Sequence, residues 1–182
     1  MNNDFLSKEE MIIMGFKNIG NNVSISRKAS FYCPQYIEIG DNVRIDDFCI
    51  LSGKICIGNN VHVSAGCYLF AGDAGIILED FSSVSSRCAI YAISDDYSGN
   101  YMTNSTIDVL YRNVIKKKVI IEKYVVIGTG TTIFPGTKIR EGCAIGAMSL
   151  INKSTEPWGI YIGIPGKRIN ERSKELLRFL SK

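Results

Sequence analysis

The segment Tyr91 to Asn100, YAISDDYSGN, sets two adjacent carboxylates, Asp95 and Asp96, in a polar stretch with no histidine. A carboxylate of ordinary pKa, about 3.9, is a poor base for a sugar hydroxyl, whose proton needs an acceptor that titrates near working pH. It suits an amine better, because a neutral amine is already a nucleophile and needs orientation more than deprotonation. Ser85 and Ser86 stand ten residues upstream of the two aspartates. The plain alternatives are a solvated Ser-Asp-Asp turn and an outward coil surface for the serines. The single histidine, His62, is of the residue type that most often serves as a general base, and the plain alternative is an isolated surface imidazole. GIPGKR, Gly163 to Arg168, lacks the spacing of a phosphate-binding P-loop.

These groups must be carried by a repeating scaffold. Aliphatic residues recur every sixth position at Ile39, Ile45, Leu51, Ile57, Val63 and Leu69, at Leu78, Val84 and Ile90, and from Ile121 through Ile127, Ile133, Ile139 and Ile145 to Ile151. Four residues later sit small or β-branched residues such as Val43, Cys49, Val61, Cys67, Ser82, Cys88, Val125, Thr131, Thr137, Cys143 and Ser149. A period of six fits neither a helix nor an uninterrupted strand, and is the mark of a parallel β-helix. Three hexapeptides make one coil, so the fifteen aliphatic positions predict an all-β fold of about five coils. The rhythm breaks between Ile90 and Ile121, and so long an excursion, with three tyrosines between Asp95 and Asn113, reads as an ordered functional loop over 91–118.

The 182 residues predict one domain: an N-terminal helical cap over 1–18, the β-helix over 19–168, and a C-terminal helix over 169–182. Ser7 and Glu10 read as a capping box for the first helix, and Ile169, Leu176, Leu177 and Leu180 as one stripe of the last, over Asn170 to Leu180. A net charge of +3, with scattered cations, argues against nucleic acid as a partner. No apolar run is long enough to span a membrane, and the N-terminus has no basic, apolar leader, so a cytoplasmic location is expected. Six cysteines without a CxxC pair are expected to be reduced thiols, and Cys88, placed inward, is not expected to be a nucleophile. No metal site is expected.

The hexapeptide pattern over residues 19 to 169, with IGTGTTIFPGTKIREGCAIGAMSLINKSTEPWGIYIGIPGKRI at its end, resembles the left-handed β-helix acyltransferases. That resemblance implies a homotrimer with sites between subunits, acyl-CoA as co-substrate with no permanently bound cofactor, and a small acceptor. Many sugar acetyltransferases of the family carry a histidine five residues after the last aliphatic before the loop, where this chain has Asp95. IYAISDDYSGNYMTN resembles instead the nucleotide-sugar N-acyltransferases of the anthrose type. The resemblance implies Asp95 and Ser85 as site residues, with Asp96 and Ser86 as the neighbouring register. It places Gly128, Gly130, Gly146 and Ala147 along the pantetheine arm, and Lys153, Lys167 and Arg168 at the phosphates of coenzyme A. The expected acceptor is the amino group of a nucleotide-linked deoxy-amino sugar. The alternatives are an O-acetyltransferase of sugars or polysaccharide precursors, perhaps through His62, and a non-catalytic β-solenoid scaffold.

Overall fold

The computed structural model describes residues 4–180. Residues 1–3 and 181–182, parts of the two expected caps, lie outside the described residues. Most hexapeptides form strands of only two or three residues, each paired in parallel with the strands one coil before and one coil after. Three flat faces result. The first carries Asn18–Ile19, Ile37–Ile39, Val119–Ile121 and Lys138–Ile139 together with the C-terminal ends of Ile50–Ile57 and Tyr68–Leu78. The second runs from Ser24–Ile25 through Arg44–Ile45, His62–Val63, Ser83–Val84, Val126–Ile127 and Ala144–Ile145 to Gly159–Ile162. The third carries Ser30–Tyr32, the N-terminal ends of the two long strands, Ala89–Tyr91, Thr132–Ile133 and Leu150–Ile151.

The register stacks the sixth-residue aliphatics directly on one another, as Ile39, Ile57, Leu78, Ile121 and Ile139 show on the first face. All fifteen are buried, as are the small residues four positions later, so the two sets fill one continuous interior. Burying such a column is what offsets the entropy of ordering each short strand. The five expected coils are preceded by one more, built on Ile19, Ile25 and Phe31, which pair with Ile39, Ile45 and Leu51. The recurring Gly-Asn and Gly-Asp motifs sit at corners, where Asn22, Asn42 and Asn60 take left-handed backbone with φ of 52°, 55° and 57°.

The helix Lys8–Met14 has the capping box expected, Ser7 Oγ accepting from Glu10 N while Ser7 N donates to Glu10 Oε2. It covers only part of the first coil. The C-terminal segment differs from the expected helix over 169–182. Lys167–Glu171 is a strand, antiparallel to Gly159–Ile162, and the helical stretch is one short 3-10 segment, Glu175–Phe179. The unpaired edge of Gly159–Ile162 offers backbone partners that a helix over the same residues would leave open, and edge pairing wins over the apolar stripe. Ile169 is exposed accordingly. Among the described residues no helix is long and apolar enough to cross a membrane.

Candidate active site

The excursion after Ile90 is ordered around an antiparallel ribbon, Ile93–Asp95 against Val114–Lys116, with Asp95 opposite Val114. Side chains alternate across a ribbon, and residues directly opposite share a face. Ile93, Asp95 and Val114 share one face of the ribbon and, with Ser94, Tyr97, Ser105 and Arg112 of the loop and Phe70, Tyr91, Thr132, Phe134 and Pro135 of the prism, line a cleft of about 640 Å³. The prism side of the cleft is aromatic, the rings of Phe70 and Tyr91 stacking at 5.4 Å with 28° between planes.

Alternation separates the two carboxylates. Asp95 faces the cleft and is half-buried, and its Oδ2 accepts one long bond, 3.2 Å, from Asn104 N. Asp96 points the other way and is consumed by structure: Oδ1 accepts from Ser98 N and Oδ2 from Asn113 Nδ2, both at 2.7 Å. The Ser98 and Asn113 bonds hold the Asp96 carboxyl below the usual carboxylate range. Arg112, not anticipated from sequence, also faces the cleft. Period-two alternation from Asp95 and Val114 is the signal that finds it, but only after the ribbon register is known.

Ser85 lies elsewhere, at the prism edge joining the second and third faces, beside Ser86, Gly128, Gly130, Gly146 and Ala147. Gly130 N donates to Ser86 O at 3.0 Å and Met148 N to Thr129 O at 2.8 Å, which stacks three successive coils along this edge. The Ser85 hydroxyl has no hydrogen-bond partner among the described residues, whereas Ser86 Oγ sits 3.2 Å from Thr129 Oγ1. Gly128 has a packing reason to be glycine, since a Cβ there would stand 2.5 Å from Ala147 N. Gly146 has another, a Cβ meeting Ile162 Cγ2 at 2.6 Å. Ala147 is exposed, and its N–H donates to no backbone group among the described residues.

Lys167 and Arg168 open the C-terminal strand, Lys167 opposite Ile162, and Gly166 N bonds Leu150 O at 2.8 Å, which ties the hairpin to the strand leading to Lys153. All three cations are exposed and none forms an ion pair among the described residues. His62 lies on the second face, where Nε2 sits 2.7 Å from Asp46 Oδ2, and Arg44 Nε donates to Asp46 Oδ1 at 2.7 Å. Burial of Asp46 opposes its charge, but the bonds from Arg44 and His62 outweigh it and keep its carboxyl below the usual range. His62 is not part of the cleft wall. Four cysteines, Cys49, Cys67, Cys88 and Cys143, are buried, and none of the six is in a disulfide. Among the described residues no cluster of side chains suits a metal ion.

Thus the candidate residues fall into two groups on opposite sides of the third face. The cleft with Asp95 and Arg112 lies past the exit of the third face, and the serine and glycine edge lies at its entrance.

Residues 36–71 match the family described as bacterial transferase hexapeptide (six repeats). The chain is 42% identical over 180 residues to the dTDP-4-amino-4,6-dideoxy-D-glucose acyltransferase of Escherichia coli, covering 97% of this chain and 93% of that protein. It superposes with TM-score 0.96 and 47% identity on AntD, an N-acyltransferase from Bacillus cereus, in complex with dTDP and 3-hydroxybutyryl-CoA, over 98% of this chain and 95% of that one. A serine-to-cysteine variant of AntD, in complex with dTDP-4-amino-4,6-dideoxyglucose and coenzyme A, matches with TM-score 0.97 and 46% identity over 100% of this chain and 97% of that one. Further structures of AntD replace the same serine by Ala or Thr, or an aspartate by Asn or Ala. With its parallel coils, its interrupting loop and relatives matched along nearly its whole length, the chain belongs to the left-handed β-helix, hexapeptide-repeat family of coenzyme A-dependent N-acyltransferases of nucleotide-linked amino sugars.

Proposed function

We propose that the protein transfers an acyl group from a coenzyme A thioester to the amino group of a dTDP-linked 4-amino-4,6-dideoxyhexose. The observation that carries this reading is Asp95, a carboxylate on the cleft-facing side of the ribbon in a wall without histidine. The serine and the aspartate replaced in AntD lie ten positions apart, the spacing of Ser85 and Asp95 here. In the reaction the neutral amine attacks the thioester carbonyl, a C–N bond forms, the C–S bond breaks, and the amine's proton leaves as the thiolate departs. Asp95 orients the amine or receives that proton. A backbone amide on the glycine edge, where Ala147 N–H is free of backbone partners, stabilises the developing oxyanion. Ser85 lines the same path, Gly128, Gly130 and Gly146 let the pantetheine arm lie close, and Lys153, Lys167 and Arg168 meet the phosphates. Asp96 supports the ribbon.

The two half-sites require a second copy. Crossing the third face from Cys88 to Ala92 takes four residues at about 3.3 Å each, roughly 13 Å, so one reacting centre reaches both Ser85 and Asp95 only where two chains meet. The exposed loop residues Tyr97, Val109, Leu110 and Tyr111 supply apolar surface for that contact. A closed trimer satisfies it three times over. Six free thiols and a coenzyme A donor agree with a cytoplasmic location.

Thiol release from acetyl-CoA and 3-hydroxybutyryl-CoA tests the reading, with dTDP-4-amino-4,6-dideoxyglucose and its 4-hydroxyl counterpart as acceptors. Faster release with the amine is expected. Equal or faster release with the hydroxyl sugar would transfer the protein to the O-acetyltransferases. A stable monomer by light scattering at micromolar concentration would remove the shared site.

A further inference from the structure

Arg112 is the one cation in the cleft wall. It follows the short helical segment Val109–Tyr111 with extended backbone, φ −111° and ψ 146°, so the alternation of the ribbon carries through it. No carboxylate of the described residues lies within ion-pair distance of its guanidinium. Its Nε is buried and has no hydrogen-bond partner among the described residues. A buried guanidinium nitrogen without a partner is costly, and such groups are found where a ligand completes them. Asp95 does not complete it. Arg112 stands two residues before Val114, the partner of Asp95 in the ribbon, and the two charges line the same cleft without forming an ion pair.

The structure assigns to Arg112 the recognition of the diphosphate of the acceptor. This rests on the function proposed above and deepens it. In a nucleotide-linked 4-amino hexose the amine and the diphosphate leave from opposite sides of one ring. A carboxylate and a guanidinium in one cleft wall, not paired with each other, suit the two ends of the sugar at once. The planar guanidinium suits paired phosphate oxygens, and the flat wall of Phe70, Tyr91 and Phe134 suits the rings between and beyond the charges. Arg112 thereby selects nucleotide-linked over free amino sugars, and through the diphosphate fixes how far the amine reaches toward Asp95.

The test uses the full chain carrying Arg112→Gln or Arg112→Lys, with dTDP binding measured by calorimetry, coenzyme A binding as the control, and acylation of both the dTDP-linked amino sugar and the free amino sugar. Loss of a charge-assisted bond predicts that Arg112→Gln binds dTDP roughly 10- to 150-fold more weakly. Arg112→Lys falls between it and the wild type. Coenzyme A affinity and acylation of the free amino sugar stay within about twofold, because neither uses the phosphate contact. An unchanged dTDP affinity in Arg112→Gln, beside a wild type that binds dTDP, overturns the assignment while leaving the acyl transfer intact. An equal loss on the free sugar, or dissociation of the assembly with an equal loss of coenzyme A binding, shows a structural arginine and also overturns it. A wild type that acylates amino sugars without binding dTDP removes the nucleotide-linked acceptor itself, and this inference with it.

Discussion

Replacing Asp95 by Asn and, separately, Asp96 by Asn tests whether ribbon alternation identifies the working carboxylate. An Asn at 95 keeps an oxygen for Asn104 N and nearly the same volume, so the loop keeps its shape and only the charge and proton capacity go. If Asp95 only orients the amine, a lost charge-assisted hydrogen bond costs about 1.5–3 kcal/mol, roughly 10- to 150-fold in kcat/KM. If it also receives the proton, loss of a positioned base adds a factor of about 10² to 10⁴ in kcat. We therefore expect Asp95→Asn to lose at least about tenfold in kcat/KM for the dTDP-linked amino sugar, and far more if Asp95 also takes the proton, followed by thiol release at saturating acyl-CoA. Asp96→Asn weakens the bonds to Ser98 N and Asn113 Nδ2 on the far side of the ribbon, and its activity should stay within about tenfold of wild type. The pH profile separates the two roles, since removing a proton acceptor changes its acid limb and removing an orienting contact lowers it evenly. An Asp95→Asn enzyme within about threefold of wild type would refute the reasoning, most plainly if Asp96→Asn were the inactive one.

His62→Asn should retain most activity, because His62 serves the Asp46 cluster and not the cleft, and a loss comparable to that of Asp95→Asn would favour a histidine base. Lys167→Ala with Arg168→Ala should raise the KM for acyl-CoA by about tenfold or more with kcat little changed, steeply so at low salt, and an unchanged KM would take both residues out of the phosphate site. Glu10 is held down to about 2 from its ordinary 4.5, first by Arg27 and then by Ser7 N–H. With the folded value below the unfolded one, its stabilisation is complete above pH 4.5 and disappears as pH falls toward 2, so the gap in Tm between wild type and Glu10→Gln should close over that interval.

The scaffold was legible because one physical demand, a side chain filling the prism at every sixth position, repeats often enough to stand out from any local propensity. Phe31 hid the first coil, since a ring half-buried at the open end escapes an aliphatic rule. The C-terminal strand was missed because Ile169, Leu176, Leu177 and Leu180 keep helical spacing, while the open edge of Gly159–Ile162 that decides their conformation is a feature of the assembled prism. Asp95 was legible through its place in the interrupting loop. Arg112 was not, because its position depends on which residues pair across the ribbon, and sixteen residues of loop separate it from Asp95 with no periodicity to carry the register. Likewise, Ser85 and the glycines fall on one edge only because consecutive corners stack.

Because every coil adds one step of about 4.8 Å, the prism also works as a ruler. The ribbon leaves at the level of Ala89–Tyr91, and on the second face Val126–Ile127, Ala144–Ile145 and Gly159–Ile162 follow Ser83–Val84 in order. Lys167 and Arg168, on the strand that pairs beyond Gly159–Ile162, are therefore set four steps above the loop, roughly 19 Å along the axis. On the function proposed above, the number of coils between loop and hairpin, and not the sequence of any one of them, sets the length of donor molecule that can be gripped at its phosphates while its reactive end lies beside the acceptor. Duplicating a single coil in that interval would leave the fold free to close and would make the protein a gauge for a longer arm.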